Sequence, residues 1–167
     1  MKNIIYVVLI GLFITSCTSA VDKKHSENLE LVKNYIHAVE TLDYDGMNSF
    51  LDDNYLGLGP SYGDSIGKTE AIENWEWAVT NLYEKIQYNR LQLASVTIND
   101  GDGKGDWVAS WAELNIVYKD GVGDVTIWAN SNYLIENGKI VRSLTFYNEA
   151  DALRQLGYSF AIPDIIE

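Results

Sequence analysis

Glu113 stands alone as a carboxylate in a strand-like run, two residues after Trp111 and ahead of a second run carrying Trp128, Asn130 and Asn132. A third run adds Ser143, Thr145 and Tyr147. Indoles, amides and hydroxyls suit a pocket that grips an apolar body and still places hydrogen bonds. Burial beside indoles disfavours the charged form of a carboxylate, which suits Glu113 to act as a general acid or base. The alternative is a structural carboxylate satisfied by Asn130, since such networks also hold buried acids. His25 and His37 have no plausible Ser or Cys to activate, so a nucleophilic triad has no support.

These side chains work together only if one sheet face presents them. From about residue 87 the apolar period is two, and strands are expected over 87–98, 107–119, 125–136 and 139–147. Asn137-Gly138 between alternating runs predicts a two-residue hairpin turn. That turn pairs Glu136 with Lys139, Asn132 with Ser143, Asn130 with Thr145 and Trp128 with Tyr147. Paired residues share a face, so Trp128, Asn130, Asn132, Ser143, Thr145 and Tyr147 form a hydrogen-bonding side. Ile127, Ala129, Tyr133, Ile135, Ile140, Leu144 and Phe146 form a hydrocarbon side, interrupted by Arg142. A four-residue loop at 120–123 adds Trp111 and Glu113 to the first side, whereas an odd-length loop moves Glu113 to the other.

Helices come first and roof this sheet. Ser26 can cap a helix whose stripe is Leu29, Val32, Ile36 and Val39, with Tyr35 and Leu42 beside it. A short second helix is expected over 43–53, then a short strand over 55–58 and a Gly/Pro/Ser-rich loop over 57–67. Thr69 caps a third helix with Ile72, Trp75, Val79, Leu82, Tyr83 and Ile86 on its inner face. Tyr35 and Trp75 then cap the pocket, with core packing the alternative for each. The order reads as an α+β domain.

The N-terminus supplies an address. Lys2, an apolar run over 4–14 and the small residues Thr15 and Ser16 precede Cys17, the single cysteine of the chain. A charged start, apolar centre and small residues at the cut describe an export signal. With Cys17 first after the cut, the segment is similar to a bacterial lipoprotein signal. The alternatives are a soluble product cut after Ala20 and a permanent transmembrane anchor, for which the apolar run falls short of the about 20 residues needed. The expected organisation is a signal over 1–16, a tether over 17–26, a domain over 27–158 and a tail over 159–167. Lipid on Cys17 then implies the bacterial cell envelope, periplasmic or surface-facing. The net charge of −12 repels phosphate backbones and argues against nucleic acid.

Two near-motifs close without a ligand. Residues 63–69 echo a phosphate loop but are one residue short between the glycines. Residues 100–106 echo a calcium loop, yet Lys104 takes a ligand place and Trp111 stands where the closing Glu belongs. Neither a metal nor a cofactor is expected.

The element order resembles the SnoaL-like branch of the nuclear transport factor 2-like superfamily. Gly67-Lys68-Thr69-Glu70-Ala71-Ile72 resembles its entry into a helix. Gly138-Lys139-Ile140-Val141 followed by Asp151 to Gly157, with Gln155-Leu156-Gly157, is similar to the close of SnoaL-type polyketide cyclases. The resemblance implies a cone-shaped barrel: a curved mixed or antiparallel sheet, four long antiparallel strands plus a short one, covered by three helices. It also implies a homodimer through the outer sheet face. The family's acid/base Asp positions fall on Thr145 and Asn148, however, and a threonine hydroxyl has no accessible ionisation near neutrality. Two functions follow. One is an envelope-anchored domain binding a small, largely apolar molecule without that catalysis. The other is a lyase, isomerase or hydrolase using Glu113.

Overall fold

The computed structural model describes residues 2–160, with side chains from Val21 onward. The expected signal over 1–16, the expected lipidation at Cys17 and most of the expected C-terminal tail therefore lie outside the described side chains. Helix α1 spans Lys2–Glu40. Residues 21–26 of the expected tether are thus helical, and Ser26 lies inside α1 rather than capping it. Among the described residues no helix is long and apolar enough to cross a membrane.

The α1 stripe packs as its spacing dictates, with Val32, Tyr35, Ile36 and Val39 buried. Helix α2 (Tyr44–Phe50) begins at Asp43, whose carboxylate accepts a hydrogen bond from the Gly46 amide. Strand β1 (Leu51–Leu58), short strand β2 (Ser65–Gly67) and helix α3 (Lys68–Asn81) follow. Gly67, not Thr69, occupies the α3 cap position, with no side-chain cap. The helix also ends before Tyr83 and Ile86, which belong to strand β3 (Tyr83–Ile98). The β-branched and aromatic content of that stretch outweighs its helical spacing.

Strands β4 (Gly105–Tyr118), β5 (Gly123–Glu136) and β6 (Lys139–Tyr147) complete the sheet, and helix α4 (Glu149–Gln155) closes the fold. The sheet has six strands in the order β2-β1-β6-β5-β4-β3. All neighbours are antiparallel except β1 and β6, which run parallel. The α+β reading with four long strands holds. Strand β2 and helix α4 are additions to it, and the sheet is curled rather than closed.

One irregularity decides which side chains look inward. The Asn137-Gly138 turn pairs Glu136 with Lys139 as expected, then Ile135 with Ile140. The next pair is Leu134 with Arg142, so Val141 is an extra residue in β6. Beyond this bulge the register moves by one, and Tyr133 faces Ser143 while Ser131 faces Thr145. A one-residue shift changes the face that β6 presents to the helices, from Ile140 before the bulge to Ser143, Thr145 and Tyr147 beyond it. The core then takes Val125, Ile127, Tyr133 and Ile135 from β5, with Val108 and Ile116 from β4.

Candidate functional site

The concave face of the sheet, α1, α3 and α4 enclose a cavity of about 290 Å³. Seven tyrosines and Trp75 supply its aromatic lining. Tyr35 enters from α1, Tyr55 from β1, Tyr83 and Tyr88 from β3, Tyr118 from β4 and Tyr133 from β5. Strand alternation explains the set. The inward residues of β4 are Val108, Ser110, Ala112, Leu114, Ile116 and Tyr118, and those of β5 include Ile127, Ala129, Ser131 and Tyr133, without a charge between them.

Of the residues singled out from sequence, Tyr35, Ser143, Thr145 and Tyr147 line this cavity, and so does Trp75. Trp111, Trp128, Asn130 and Asn132 do not. They share the outer face, where Trp128 is 64% exposed and Trp111 39%. The Val141 bulge is the reason: a strict hairpin register places Asn130 and Asn132 opposite Ser143 and Thr145, and the extra residue parts them. The hydrocarbon side is divided in the same way. Ile127, Ala129, Tyr133, Ile135 and Ile140 turn inward, while Leu144 and Phe146 face out.

Glu113 is also on the outer face, paired in register with Trp128. The even loop parity is correct, but the register sits two residues from the expected one. Its carboxylate lies 3.3 Å from the guanidinium of Arg90, which occupies a left-handed position at a bulge in β3. It therefore cannot serve the cavity as acid or base, which removes the reading built on Glu113. Asn132 donates to the side-chain oxygen of Asn130 at 2.8 Å, and Asn130 donates to the Ser110 carbonyl at 2.9 Å. Both amides are satisfied by structure.

Inside, hydroxyls pair with one another. Tyr55 Oη and Ser143 Oγ are 2.7 Å apart, and Ser131 Oγ lies 3.0 Å from Thr145 Oγ1. Burial pushes the Tyr133 phenol up to about 12, the Ser131 and Ser110 hydroxyls opposing this only in part. Burial likewise raises Tyr35 and Tyr88, each helped by neighbouring phenols, and takes Tyr83 to about 12. No carboxylate, imidazole, ammonium or guanidinium is among the described lining residues. Nothing there exchanges a proton readily near neutral pH. Among the described residues, no cluster of His, Cys, Asp and Glu is placed to hold a metal ion.

Helix α4 borders the cavity and contributes Ala152 to its lining. Gln155 fixes this helix to the β5 backbone, accepting from the Thr126 amide and donating to the Thr126 carbonyl, each at 2.9 Å. The Gln155-Leu156-Gly157 close thus has a physical role as a latch.

No protein-family model matches the chain, and no curated protein matches it significantly. Solved structures do share its fold. A candidate polyketide cyclase from Xanthomonas campestris pv. campestris superposes with a TM-score of 0.64 at 17% identity, covering 79% of this chain and 98% of that one. A candidate polyketide cyclase from Silicibacter sp. gives 0.64 at 19% identity, covering 81% and 98%. An LEH-like epoxide hydrolase from M. tuberculosis gives 0.60 at 14% identity, covering 80% and 86%. At these identities the likeness establishes a common fold: the cone-shaped α+β architecture of SnoaL-like and nuclear transport factor 2-like proteins.

Proposed function

We propose that this domain binds a small molecule of largely apolar surface in its tyrosine-lined cavity and performs no acid/base catalysis there. The observation that carries the proposal is the lining itself: aromatic and aliphatic groups with hydroxyl hydrogen-bonding partners, and no ionisable group poised near neutrality. Similar folds include candidate cyclases and an epoxide hydrolase, which supports small-molecule recognition as the common theme. In the same proposal, lipid on Cys17 holds the domain at the cell envelope, and a second copy covers the outer sheet face. Exposed Trp111, Trp128 and Phe146 favour that use of the face.

Native mass spectrometry of the protein purified from its own host tests the ligand reading. A co-purifying molecule of largely apolar surface supports it. An empty cavity together with pH-dependent turnover of a substrate contradicts it. Intact mass of the mature chain, with and without Cys17→Ser, tests the lipid, and Trp128→Asp in sedimentation experiments tests the second copy.

A further inference from the structure

Trp75, Tyr83 and Tyr118 follow one another along one side of the cavity. Their ring centroids are 6.1 and 5.7 Å apart, and successive rings are turned by 50° and 46°. Rings so inclined are neither stacked nor perpendicular; together they make a curved wall. Tyr147 stands close by, near enough to Tyr118 and Tyr83 for the phenols to act on one another. Tyr147 is 37% exposed, which places this group at the mouth, whereas Tyr35 and Tyr133 lie deep.

We infer that this aromatic wall is a cage for a methylated ammonium group, so that the ligand of the cavity is a tertiary or quaternary amine. The inference rests on the binding reading above and names its ligand class. A methylated ammonium is apolar over its surface and positive at its centre, so it matches aliphatic and aromatic lining at once. Ring faces attract cations, most strongly where water is excluded. Among the described residues, no Lys, Arg or His lines the cavity to oppose it. Carboxylates stand at the mouth instead, where Glu149 and Asp64 act on Tyr147 from nearby. Outside the lining, half-buried Glu40 accepts from the Tyr88 amide at 2.8 Å. With a net charge of −12, the protein's own field draws cations in and holds anions off.

Choline and 3,3-dimethylbutan-1-ol test this directly, because they share a shape and differ in the central charge. Calorimetric titration of the folded protein with each should show choline binding at least about tenfold tighter. Choline affinity should fall by about tenfold or more in Tyr118→Leu and stay within about threefold in Tyr118→Phe, which keeps the ring. Circular dichroism verifies that both variants fold. Equal or tighter binding of the neutral alcohol overturns the ammonium assignment while leaving the cavity a small-molecule site. So does a neutral molecule co-purifying with a protein that ignores choline. An empty cavity that binds neither probe overturns this assignment and the binding reading together.

Discussion

Alkali should unfold this domain through its own cavity. Tyr83 and Tyr133 are each raised by burial from 10.0 to about 12, and Tyr35 and Tyr88 are raised in the same direction. A phenol whose folded pKa exceeds its unfolded value binds its proton longer in the native state. Its stabilising contribution is complete below about pH 10 and is lost as pH climbs through the folded value. Each such group removes about 1.4 kcal/mol of stability per pH unit across that window. Tyr83 and Tyr133 alone then remove at most about 5 kcal/mol by pH 12, Tyr83 contributing less than its full share because it sits nearer the mouth. A domain of this size holds only about 5–15 kcal/mol, so Tyr35 and Tyr88 bring unfolding within reach. The assay follows near-ultraviolet phenolate absorbance and far-ultraviolet circular dichroism together against pH. A cooperative loss of structure coinciding with a step of phenolate formation is expected above about pH 11. Tyr133→Phe should make the alkaline decline shallower by about one proton, about 1.4 kcal/mol per pH unit. Gradual ionisation of the buried phenols near pH 10 with the fold intact would refute the reasoning, since it would mean that bulk water fills the cavity.

Three further outcomes follow from the packing. Ile140 is 0% exposed where β6 leaves the hairpin, so Ile140→Ala should cost about 2–5 kcal/mol in urea unfolding. Tyr55→Phe leaves the buried Ser143 hydroxyl without its 2.7 Å partner and should cost about 1–3 kcal/mol. Adding Ser143→Ala should restore part of that loss, and a double-mutant cycle with purely additive costs would dismiss the coupling. The Asp106 carboxyl is held below the usual range by hydrogen bonds from Lys24 and then Thr97. Its depressed folded pKa means stability that is present above about pH 4 and lost as pH falls through the folded value. Asp106→Asn should flatten the acid limb of the stability profile.

The sequence made the helix stripe, the hairpin turn and the strand order legible because each rests on local chemistry. Val32, Ile36 and Val39 repeat at helical spacing, and Asn137-Gly138 readily takes the positive φ its turn requires. The site was legible on β6 and, through Tyr35 and Trp75, on the helices, but not on β4 or β5. Nothing in the apolar pattern announces that Val141 is an extra residue, yet that one insertion turns Ser143, Thr145 and Tyr147 to the face opposite Asn130, Asn132 and Trp128. A clearer signal was available in charge rather than polarity. The even positions of β4 from Val108 to Tyr118 carry no ionisable group below a phenol, whereas the odd positions carry Glu113. An inward face tolerates hydroxyls and phenols far better than a carboxylate. Tyr83 was missed for another reason: it continues the α3 stripe in spacing, while its β-favouring neighbours draw it into β3.

Two adjacent residues of β5 separate the inner and outer faces most directly. Ala129 lines the cavity, and Trp128 stands on the opposite side of the sheet. Binding of the co-purified molecule should be lost in Ala129→Phe, which fills the cavity, and kept in Trp128→Ala. Retained binding in Ala129→Phe alongside its loss in Trp128→Ala would place the ligand on the outer face and contradict the account.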